Sequence, residues 1–324
     1  MKLLAQVLIV LLVAGEAGAA SPGTPSIRLV TYNIRGGRGA ADVRVGPVTL
    51  PVLTGNGHLN AISDAMKRHE VDIAGLQEVQ QRCLVSAFQD EAARIAGRLG
   101  YHHVYGTAST VGFRGLVSRQ GNAIVSRWPI LSSFEIALPP GKPGHERRAA
   151  IAARIAVPGV PGGLTVVNTH LDHRDQAVRL HQLDLLSRAV ARLDGPVVLC
   201  GDLNSRVRSV PIETIKRTFR TGRNESLVDT WAIAGSGGLN TIPSDRPVVK
   251  IDWVFATPGL TPVASRVLTD VKESDHLPVV VELGLEPAGA GAAGTTTSTV
   301  RGDPGRQAPV LLGLASASGS TTGR

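Results

Sequence analysis

The stretch VVLCGDLNS, residues 197–205, joins an uninterrupted apolar run to a cluster of polar side chains. A short apolar run bounded by turn-forming residues predicts a buried strand over residues 197–200. Asp202 and Asn204 follow this strand directly. The sequence therefore predicts a strand that ends in chemically useful side chains at the edge of a sheet.

The same pattern recurs along the chain. Apolar runs end in TYN (31–33), LQE (76–78) and NTH (168–170), and SDH (274–276) precedes the last apolar run. In a β-layered domain, the residues at strand ends on one rim face a common cleft. Carboxylate and amide oxygens are the ligands that hard cations such as Mg²⁺, Mn²⁺ and Ca²⁺ prefer. The ordered set therefore predicts a metal site at one rim of the domain.

Taken singly, each of these residues has an ordinary structural explanation. Glu78 alone could be a solvated strand end, and Asp202 with Asn204 could form an Asx turn. A lone His170 or His276 is more often a structural histidine than a catalytic one. Only the ordered set favours function.

The distribution of apolar residues predicts an α/β (α+β) domain. Helices are predicted at residues 59–69, 87–99, 176–193 and 212–217, and a long loop at residues 34–58. Strands are predicted at residues 27–32, 71–76, 101–105, 122–126, 134–138, 148–157, 164–168, 197–200, 251–255, 265–268 and 277–283. Many short strands with a few helices indicate two packed sheets flanked by helices. Hydrophobic residues make up 43% of the chain but aromatic ones only 3%, so the core must consist mainly of aliphatic side chains.

The two ends of the chain differ from its middle. Residues 1–20 combine Lys2, an apolar run and small residues before a cleavage site, which predicts a signal peptide and a secreted or periplasmic protein. An uncleaved anchor is the alternative, but the run is shorter than the ~20 apolar residues that cross a bilayer. Residues 286–324 are rich in Gly, Ala, Thr and Ser and predict a disordered tail. We expect the catalytic domain at residues 26–285, no transmembrane segment in the mature chain, and a monomer.

Charge and cysteine content give weaker indications. The net charge of +8 fits phosphate-rich partners, although scattered arginines from a compositional bias would give the same value. Cys83 and Cys200 are the two cysteines. Cys200 lies in the apolar run 197–200, which favours a buried thiol, while a single disulfide between the two stays open.

Seven motifs resemble those of the endonuclease/exonuclease/phosphatase superfamily, the deoxyribonuclease I-like metal-dependent phosphoesterases. They are TYN (31–33), LQE (76–78), GNAIVSRWPI (121–130), NTHLD (168–172), GDLNS (201–205), IDWVF (251–255) and SDHLPV (274–279). They occur in the expected order between about residues 27 and 284. The resemblance implies a four-layered α/β sandwich with two mainly antiparallel sheets.

The resemblance also implies a metal centre. Glu78 would be the principal ligand of a divalent ion, most simply Mg²⁺, with Mn²⁺ or Ca²⁺ as alternatives. Asn33 would lie close to the ion and contribute through it or its water, and Asp275 would complete the cleft as a further candidate metal ligand. Asp202 would accept a proton from the attacking water, and Asn204 would orient that water or a phosphate oxygen.

The histidines of the motifs would act on the phosphate. On the same resemblance, His276 would face the phosphate and Asp252 would fix its tautomer through the other ring nitrogen. The segment HERRAA (145–150) resembles the part of secreted deoxyribonucleases in which a Glu supports the NTH histidine, so Glu146 would pair with His170. Alternatively, the important residues of this segment are cations that face phosphate. The phosphate-binding candidates are Arg147, Arg148 and Asn122.

These residues together predict hydrolysis of a phosphodiester or phosphomonoester by direct attack of an activated water, without a covalent intermediate. A nuclease-type substrate is slightly preferred, because Arg35, Arg38 and Arg44 follow Asn33 and could contact backbone phosphates. A sphingomyelinase-like or inositol-phosphate phosphoesterase is the alternative. A non-catalytic binding module on the same fold is a third possibility. We expect a phosphoester substrate, possibly nucleic acid, and infer no protein partner.

Overall fold

The computed structural model describes residues 25–40, 43–45, 48–50, 56–84, 86–111 and 118–285 of the chain. The predicted signal peptide at residues 1–20 and the predicted tail at residues 286–324 lie outside the described residues. None of the described helices combines the length and the apolar character that crossing a membrane requires.

The described residues form two six-stranded sheets, one small hairpin and flanking helices. The first sheet contains β1 (Ser26–Asn33), β4 (Ile73–Gln80), β5 (His102–Val111), β6 (Ser118–Ser126), β13 (Leu260–Val267) and β14 (Val279–Leu285). The second contains β7 (Ile130–Leu138), β8 (Arg148–Ile155), β9 (Leu164–His170), β10 (Val197–Asp202), β11 (Val228–Asp229) and β12 (Asp252–Ala256). The hairpin pairs β2 (Val43–Val45) with β3 (Val48–Leu50). The helices are α1 (Asn56–Arg68), α2 (Glu91–Leu99), α3 (Gln176–Val190), α4 (Val210–Thr218) and α5 (Thr230–Ala234), with a 3₁₀ turn at Arg35–Gly37.

The two sheets have matching topologies. Their strand orders are β13-β14-β1-β4-β6-β5 and β11-β12-β10-β9-β8-β7. In each sheet the central pair is parallel, β1 with β4 and β9 with β10, and the other pairs are antiparallel. The predicted fold, two mainly antiparallel sheets within an α/β sandwich, is confirmed.

Alternating side chains of the strands build three apolar layers. In β1, Ile27 and Leu29 lie in the cluster between the sheets, whereas Val30 and Tyr32 pack outward against α1 and α2. The outer face of the second sheet packs in the same way against α3 and α4. Because a strand alternates its faces with period two, each sheet buries both faces. The result is a helix–sheet–sheet–helix sandwich.

A buried amide network crosses between the sheets beneath the site. Asn168 of β9 donates to the carbonyl oxygens of Leu76 at 2.8 Å and Ala123 at 2.9 Å, and its Oδ1 accepts from Gln77 at 2.6 Å. Asn168 is fully buried, so these bonds replace its contacts with water. The first residue of the NTH motif therefore joins the two sheets and does not face the cleft.

Some predicted boundaries were wrong. The helix predicted from residue 87 begins at Glu91, because the Asp90 side chain accepts from Ala93 N and caps it. Ala87 and Phe88 take left-handed φ values of 48° and 61°, which are incompatible with a helix. The short helix α5 and the hairpin of β2 and β3 were missed. Cys83 and Cys200 are both buried free thiols, so the disulfide left open by the sequence is not formed.

Candidate active site

The candidate catalytic residues lie where the central parallel strands of both sheets end. β1 ends at Asn33, β9 at His170 and β10 at Asp202, and Glu78 lies near the end of β4. Asp202 pairs with His170 in the parallel register. Since parallel strands run in the same direction, their carboxyl ends meet at one rim. The fold thus brings together motifs that are far apart in the sequence.

Glu78 is aimed into the cleft by an irregularity in its strand. The ladder between β4 and β6 is interrupted between Leu76 and Val79, and Glu78 takes a φ of 56°. Such a backbone conformation is uncommon for a residue other than glycine and is found where function requires it. A bulge of this kind re-aims a side chain next to an active site. The Glu78 carboxylate accepts from Gln120 Nε2 at 3.2 Å.

The amide of Asn33 joins the two principal carboxylates. Asn33 Nδ2 donates to Glu78 Oε1 at 3.1 Å and to Asp202 Oδ2 at 3.2 Å. Its Oδ1 accepts from the backbone N–H of Arg35 at 3.1 Å. Asn33 is only 1% exposed. Asn33 is therefore in direct contact with both the predicted metal ligand Glu78 and the predicted base Asp202.

Asp252 and His276 form the expected pair. His276 Nδ1 lies 2.9 Å from Asp252 Oδ2, and both side chains are buried. The other ring nitrogen, Nε2, lies 3.7 Å from Asp202 Oδ2. A ring whose Nδ1–H is held by a carboxylate presents Nε2 to its other neighbour in a fixed orientation. His276 therefore points at Asp202 and the cleft.

Burial shifts the ionisation of this group of residues. Burial, and then the nearby Asp252 carboxylate, raise the pKa of Asp202 to about 7, while His276 and the N–H donors of Asn204 and Asn33 oppose the shift. Burial lowers the pKa of His276, but Asp252, Asp202 and Asp275 together raise it above its usual range. A carboxyl group with a pKa near neutral pH suits a proton acceptor in catalysis.

The donor set fits a divalent cation. Ligand atoms of Asp202, Asp252 and His276, all buried, lie within 4.8 Å of one another. Asp252 Oδ1 is buried and has no hydrogen-bond partner among the described residues. Two carboxylates buried side by side require a compensating positive charge. Because Asp252 and His276 already bind each other, the carboxylate oxygens of Glu78 and Asp202, to which the Asn33 amide donates, are the better ligands for a hard ion.

The predicted pair of Glu146 with His170 is not formed. Arg148 occupies the place beside His170, with Arg148 Nη1 donating to His170 Nδ1 at 3.2 Å. The Glu146 carboxylate is 48% exposed and lies 3.2 Å from Arg148 Nη2. Burial, and then the Arg148 guanidinium, lower the pKa of His170 well below its usual range. The neutral ring thus accepts at Nδ1 and carries its proton on Nε2, which lies 3.5 Å from Asp202 Oδ2.

Three other predicted site residues make contacts elsewhere or lie outside the cleft. Asn122 is buried and donates to Ala149 O at 2.7 Å, so its amide joins the two sheets and does not face a phosphate. The Asp275 carboxylate lies 3.3 Å from Arg35 Nε, outside the group of candidate ligands. Arg147 is exposed and is absent from the described residues that line the cleft.

Asn204 keeps its predicted place in the cleft. Its Nδ2 donates to Leu171 O at 3.0 Å, and its backbone N–H donates to Asp202 Oδ1 at 2.9 Å. The φ of Asn204 is 47°, a conformation that asparagine tolerates better than most residues. The GDLN turn therefore holds Asp202 and Asn204 in one rigid unit.

The cleft also contains residues that the sequence reasoning missed. It has a volume of about 370 Å³, and its lining includes Gln120, His173, Ile242 and Ile251 besides the candidate residues. Arg38, one of the predicted phosphate contacts, lines it too, whereas the side chain of Arg44 lies outside the described residues. Gln120 precedes the motif at 121–130 by one residue. Its polar side chain directly before that motif was the signal that could have revealed it.

Comparisons with known proteins agree with this geometry. Residues 30–276 match the sequence profile of the Endonuclease/Exonuclease/phosphatase family. A comparison with curated proteins found no match. Among solved structures, an endonuclease/exonuclease/phosphatase from Beutenbergia cavernae is 29% identical, with 80% of this chain and 72% of that chain covered and a TM-score of 0.61.

Two Bacteroides proteins show the same fold at lower identity. The endonuclease/exonuclease/phosphatase from Bacteroides vulgatus is 22% identical, with 81% of this chain and 100% of that chain covered and a TM-score of 0.61. A mannosyl-6-phosphatase from Bacteroides thetaiotaomicron is 17% identical, with 79% and 99% covered and a TM-score of 0.58. Since the family profile spans most of the chain, the protein belongs to the endonuclease/exonuclease/phosphatase family of phosphoester hydrolases.

Proposed function

We propose that this protein is a Mg²⁺-dependent phosphodiesterase of nuclease type, which cleaves its substrate by direct attack of a water molecule. The observation that carries the proposal is the bridge of Asn33 between Glu78 and Asp202, at 3.1 and 3.2 Å, beside the Asp252–His276 pair. It unites metal-binding oxygens with a proton acceptor in one cleft.

We assign the ion to the Glu78 carboxylate, with Asp202 beside it and the Asn33 amide donating to both carboxylates. Glu78 is partly exposed at a bulge and its carboxylate faces the cleft, so it can accept an ion without unfolding the strand. The bound ion would neutralise negative charge on the non-bridging oxygens of the phosphate. Asp275 supports the site indirectly, because its carboxylate lies 3.3 Å from Nε of Arg35.

The protein's own groups move the protons. Asp202 accepts a proton from the attacking water, because its pKa is raised to about 7 by burial and by Asp252. Asn204, fixed to Leu171 O at 3.0 Å, orients that water or a phosphate oxygen. His276 donates from Nε2 to a phosphate oxygen while Asp252 holds its Nδ1. His170, kept neutral beside Arg148, offers a second Nε2–H donor.

The charge of the cleft supports a polyanionic substrate. Arg38, Arg148 and His173 line it together with Glu78 and Asp202. The chain as a whole carries a net charge of +8. Lys and Arg contacts to backbone phosphates supply most of the affinity of proteins that bind nucleic acid without sequence preference. A nucleic acid strand fits this charge better than a neutral lipid head group.

We also propose that the protein is exported. Residues 1–20 supply the signal peptide, and the catalytic domain begins near residue 26. Amino-terminal sequencing of the protein recovered from the extracytoplasmic fraction would check the cleavage site. A product that keeps Lys2 would contradict export through this segment.

The test compares Glu78→Gln with a matched surface variant, Glu213→Gln, whose carboxylate pairs only with Lys216 in the part of the chain described. Hydrolysis of bis-p-nitrophenyl phosphate is measured with Mg²⁺, Mn²⁺ or Ca²⁺ and with excess chelator. We expect Glu78→Gln to lose at least ~100-fold in kcat/KM and to bind Mg²⁺ more weakly in a calorimetric titration. Glu213→Gln should match the wild type.

Two outcomes would contradict the proposal. Full turnover in excess chelator would exclude the metal-dependent reaction.

Among natural substrates, plasmid DNA and RNA are compared with sphingomyelin and inositol phosphates. Faster cleavage of sphingomyelin or inositol phosphates than of either nucleic acid would reject the nuclease-type substrate and keep the phosphoesterase.

A further inference from the structure

A cluster of cationic and imidazole side chains borders the cleft on the side of His170. It consists of Arg148 on β8 and of His173 and Arg174, which follow β9. Arg148 is 7% exposed, and both Arg148 and His173 line the cleft. The reaction proposed above uses Arg148 only to hold His170. The remaining hydrogen-bonding capacity of this cluster, called here the Arg148 cluster, has no assigned purpose.

The Arg148 cluster contains more donors than acceptors. Arg148 Nη2 lies 3.1 Å from Nδ1 of His173, and Arg174 Nε lies 3.2 Å from Nε2 of the same ring. A guanidinium only donates, and a neutral imidazole accepts at one nitrogen while the other carries a proton. His173 can therefore accept from one arginine but not from both. At least one guanidinium N–H is left without an acceptor in the part of the chain that the structure describes.

Neighbouring groups do not remove this excess. Arg148 Nε is buried and has no hydrogen-bond partner among the described residues. Glu146, the carboxylate that faces Arg148 at 3.2 Å, is half exposed. Among the described residues, Arg174 Nη1 donates to the carbonyl oxygen of Gly144, at 3.2 Å. His173 and Arg174 are exposed, whereas Arg148 is buried. A buried guanidinium N–H that lacks an acceptor is costly, so Arg148 is suited to a ligand that only accepts.

Asp172 does not supply the missing acceptor, because its carboxylate oxygens bind other groups. One accepts from the backbone N–H of Arg174 at 2.9 Å and of Asp175 at 2.7 Å, and the other lies 2.9 Å from His145 Nδ1. These bonds fix the turn after β9, where His173 lines the cleft and Arg174 lies against the outer nitrogen of its ring. The turn is thus preorganised without the ligand.

We propose that the Arg148 cluster binds a second phosphate group of the substrate, adjacent to the one that is cleaved. An ionised phosphate ester offers acceptor oxygens and one or two negative charges, and guanidinium groups bind it with several directed hydrogen bonds. Arg148 contacts His170 with one amino group and His173 with the other. The guanidinium of Arg148 therefore lies between the second phosphate and the cleavage site. This inference rests on the proposed function and narrows its substrate to esters that carry two neighbouring phosphates.

Binding without turnover tests the proposal. Calorimetric titrations of the full-length protein in excess chelator compare adenosine 3′,5′-bisphosphate with adenosine 5′-monophosphate. We expect the bisphosphate to bind at least ~10-fold more tightly to the wild type. Arg174→Gln should reduce this preference to within ~2-fold. The matched control is Arg188→Gln on α3, whose guanidinium is 71% exposed and pairs with Asp184. It should keep the full preference.

A further arm distinguishes the sources of the second phosphate. An inositol bisphosphate replaces the adenosine bisphosphate, with inositol monophosphate as its reference. Equal preferences in the two series support recognition of the phosphates alone. A preference confined to the adenosine series supports a nucleotide substrate. Both outcomes keep the cluster as a phosphate site.

Three results would overturn the inference. They are equal affinity of the wild type for mono- and bisphosphates, an unchanged preference in Arg174→Gln, and an equal loss in Arg188→Gln. The last would indicate general electrostatic attraction. Failure of the proposed function gives a different result. The wild type would then leave bis-p-nitrophenyl phosphate intact with Mg²⁺, while the binding preference could still be measured.

Discussion

Asp252 and His276 show how two residues acquire a role only as a pair. His276 Nδ1 lies 2.9 Å from Asp252 Oδ2 in a buried setting. Without the carboxylate, the imidazole is free to adopt the tautomer that presents a lone pair at the phosphate in place of a proton. Trp253 and Ile251, on either side of Asp252, do not reach the ring through any hydrogen bond of the described residues.

This dependence predicts the kinetics of a double-mutant cycle. Asp252→Asn should lower kcat/KM by a factor on the order of 10² or more, the size of a general acid–base contribution. His276→Ala should cost at least as much. Because the residues act as a unit, the double variant should be hardly worse than His276→Ala. Steady-state rates on bis-p-nitrophenyl phosphate give the four values. Losses that multiply would mean that Asp252 and His276 act independently.

At the scale of single residues, the sequence predicted which side chains meet better than which of them form pairs. Asn33, Glu78, Asp202 and Asn204 were all expected at one cleft, because each ends a strand or follows one. Glu146 was expected beside His170, where the structure has Arg148 instead. Adjacent charged residues in one segment point to different sides of the chain, and periodicity alone does not tell which side faces a distant histidine.

Among the elements, the contact between β9 and β10 sets the distance between two catalytic side chains. Gly201 lies directly before Asp202, takes a φ of 146° and pairs with Thr169. A Cβ at this position would lie 1.9 Å from the carbonyl oxygen of Thr169. Backbone atoms cannot yield as a flexible side chain can, so any side chain here forces β9 and β10 apart.

Gly201→Ala should therefore lower the free energy of unfolding by about 2–4 kcal/mol and reduce kcat/KM, because it displaces Asp202 relative to His170. The matched control is Gly97→Ala in α2, where a Cβ meets nothing within 4 Å. There the better helix former should raise the free energy of unfolding by up to about 1 kcal/mol. Urea unfolding and rate measurements on both variants check the prediction. Near-wild-type behaviour of Gly201→Ala would contradict the close approach.

The turn between β9 and α3 gives the domain a pH-dependent element. Burial raises the pKa of Asp172, but hydrogen bonds from the backbone N–H of Asp175, from His145 and from the backbone N–H of Arg174 lower it by more, and the pKa ends below its usual value. The unfolded chain then binds the proton more readily than the folded one. This contribution to stability is full above the unfolded pKa of ~4 and is lost as the pH falls through the folded pKa.

Asp172→Asn should lower the free energy of unfolding by about 1–3 kcal/mol at neutral pH, and the gap to the wild type should close on acidification below pH ~4. Urea unfolding between pH ~2.5 and ~7 measures the gap. Asp245→Asn is the control, since its side chain bonds only the neighbouring backbone of Arg246 among the described residues. A gap that is independent of pH would show that Asp172 acts through its shape and not through its charge.

Elements with a strong periodic pattern were predictable, and short elements were not. The strand at residues 197–200 was predicted from an uninterrupted apolar run, and the helix from residue 176 from apolar side chains that recur at helical spacing, and both lie close to their predicted places. The start of α2 is decided by the Asp90 cap, and α5 has only five residues, too few for a helical repeat of apolar positions. Elements of that kind depend on tertiary contacts that no local pattern records.

In the molecule as a whole, the two sheets form one body through contacts that the sequence does not display. The side-chain amides of Asn168 and Gln77 bridge the sheets by hydrogen bonds, and Asn122 adds another hydrogen bond to Ala149 O. In the sequence these residues read as site candidates or as polar strand ends. Their role emerges only when both sheets are present, because a buried amide must find partners on the facing sheet. The layered architecture was predictable, and the bonds that align its layers were not.

The boundary of the folded body gives the last prediction. β14 lies between β13 and β1, pairs with both and contributes Val281 and Leu283 to the core between the sheets. Since this strand ends at Leu285, the sheet is complete without residues 289–324.

A chain that stops after Ala288 should melt within ~2 °C of the wild type and keep its rate on a soluble substrate. A chain that stops after Pro278 loses β14 and should give no cooperative unfolding transition, because two neighbouring strands and the core lose their partner. Thermal unfolding by circular dichroism distinguishes the two truncations, and a large loss of stability in the first would show that the folded domain extends into the residues beyond Ala288.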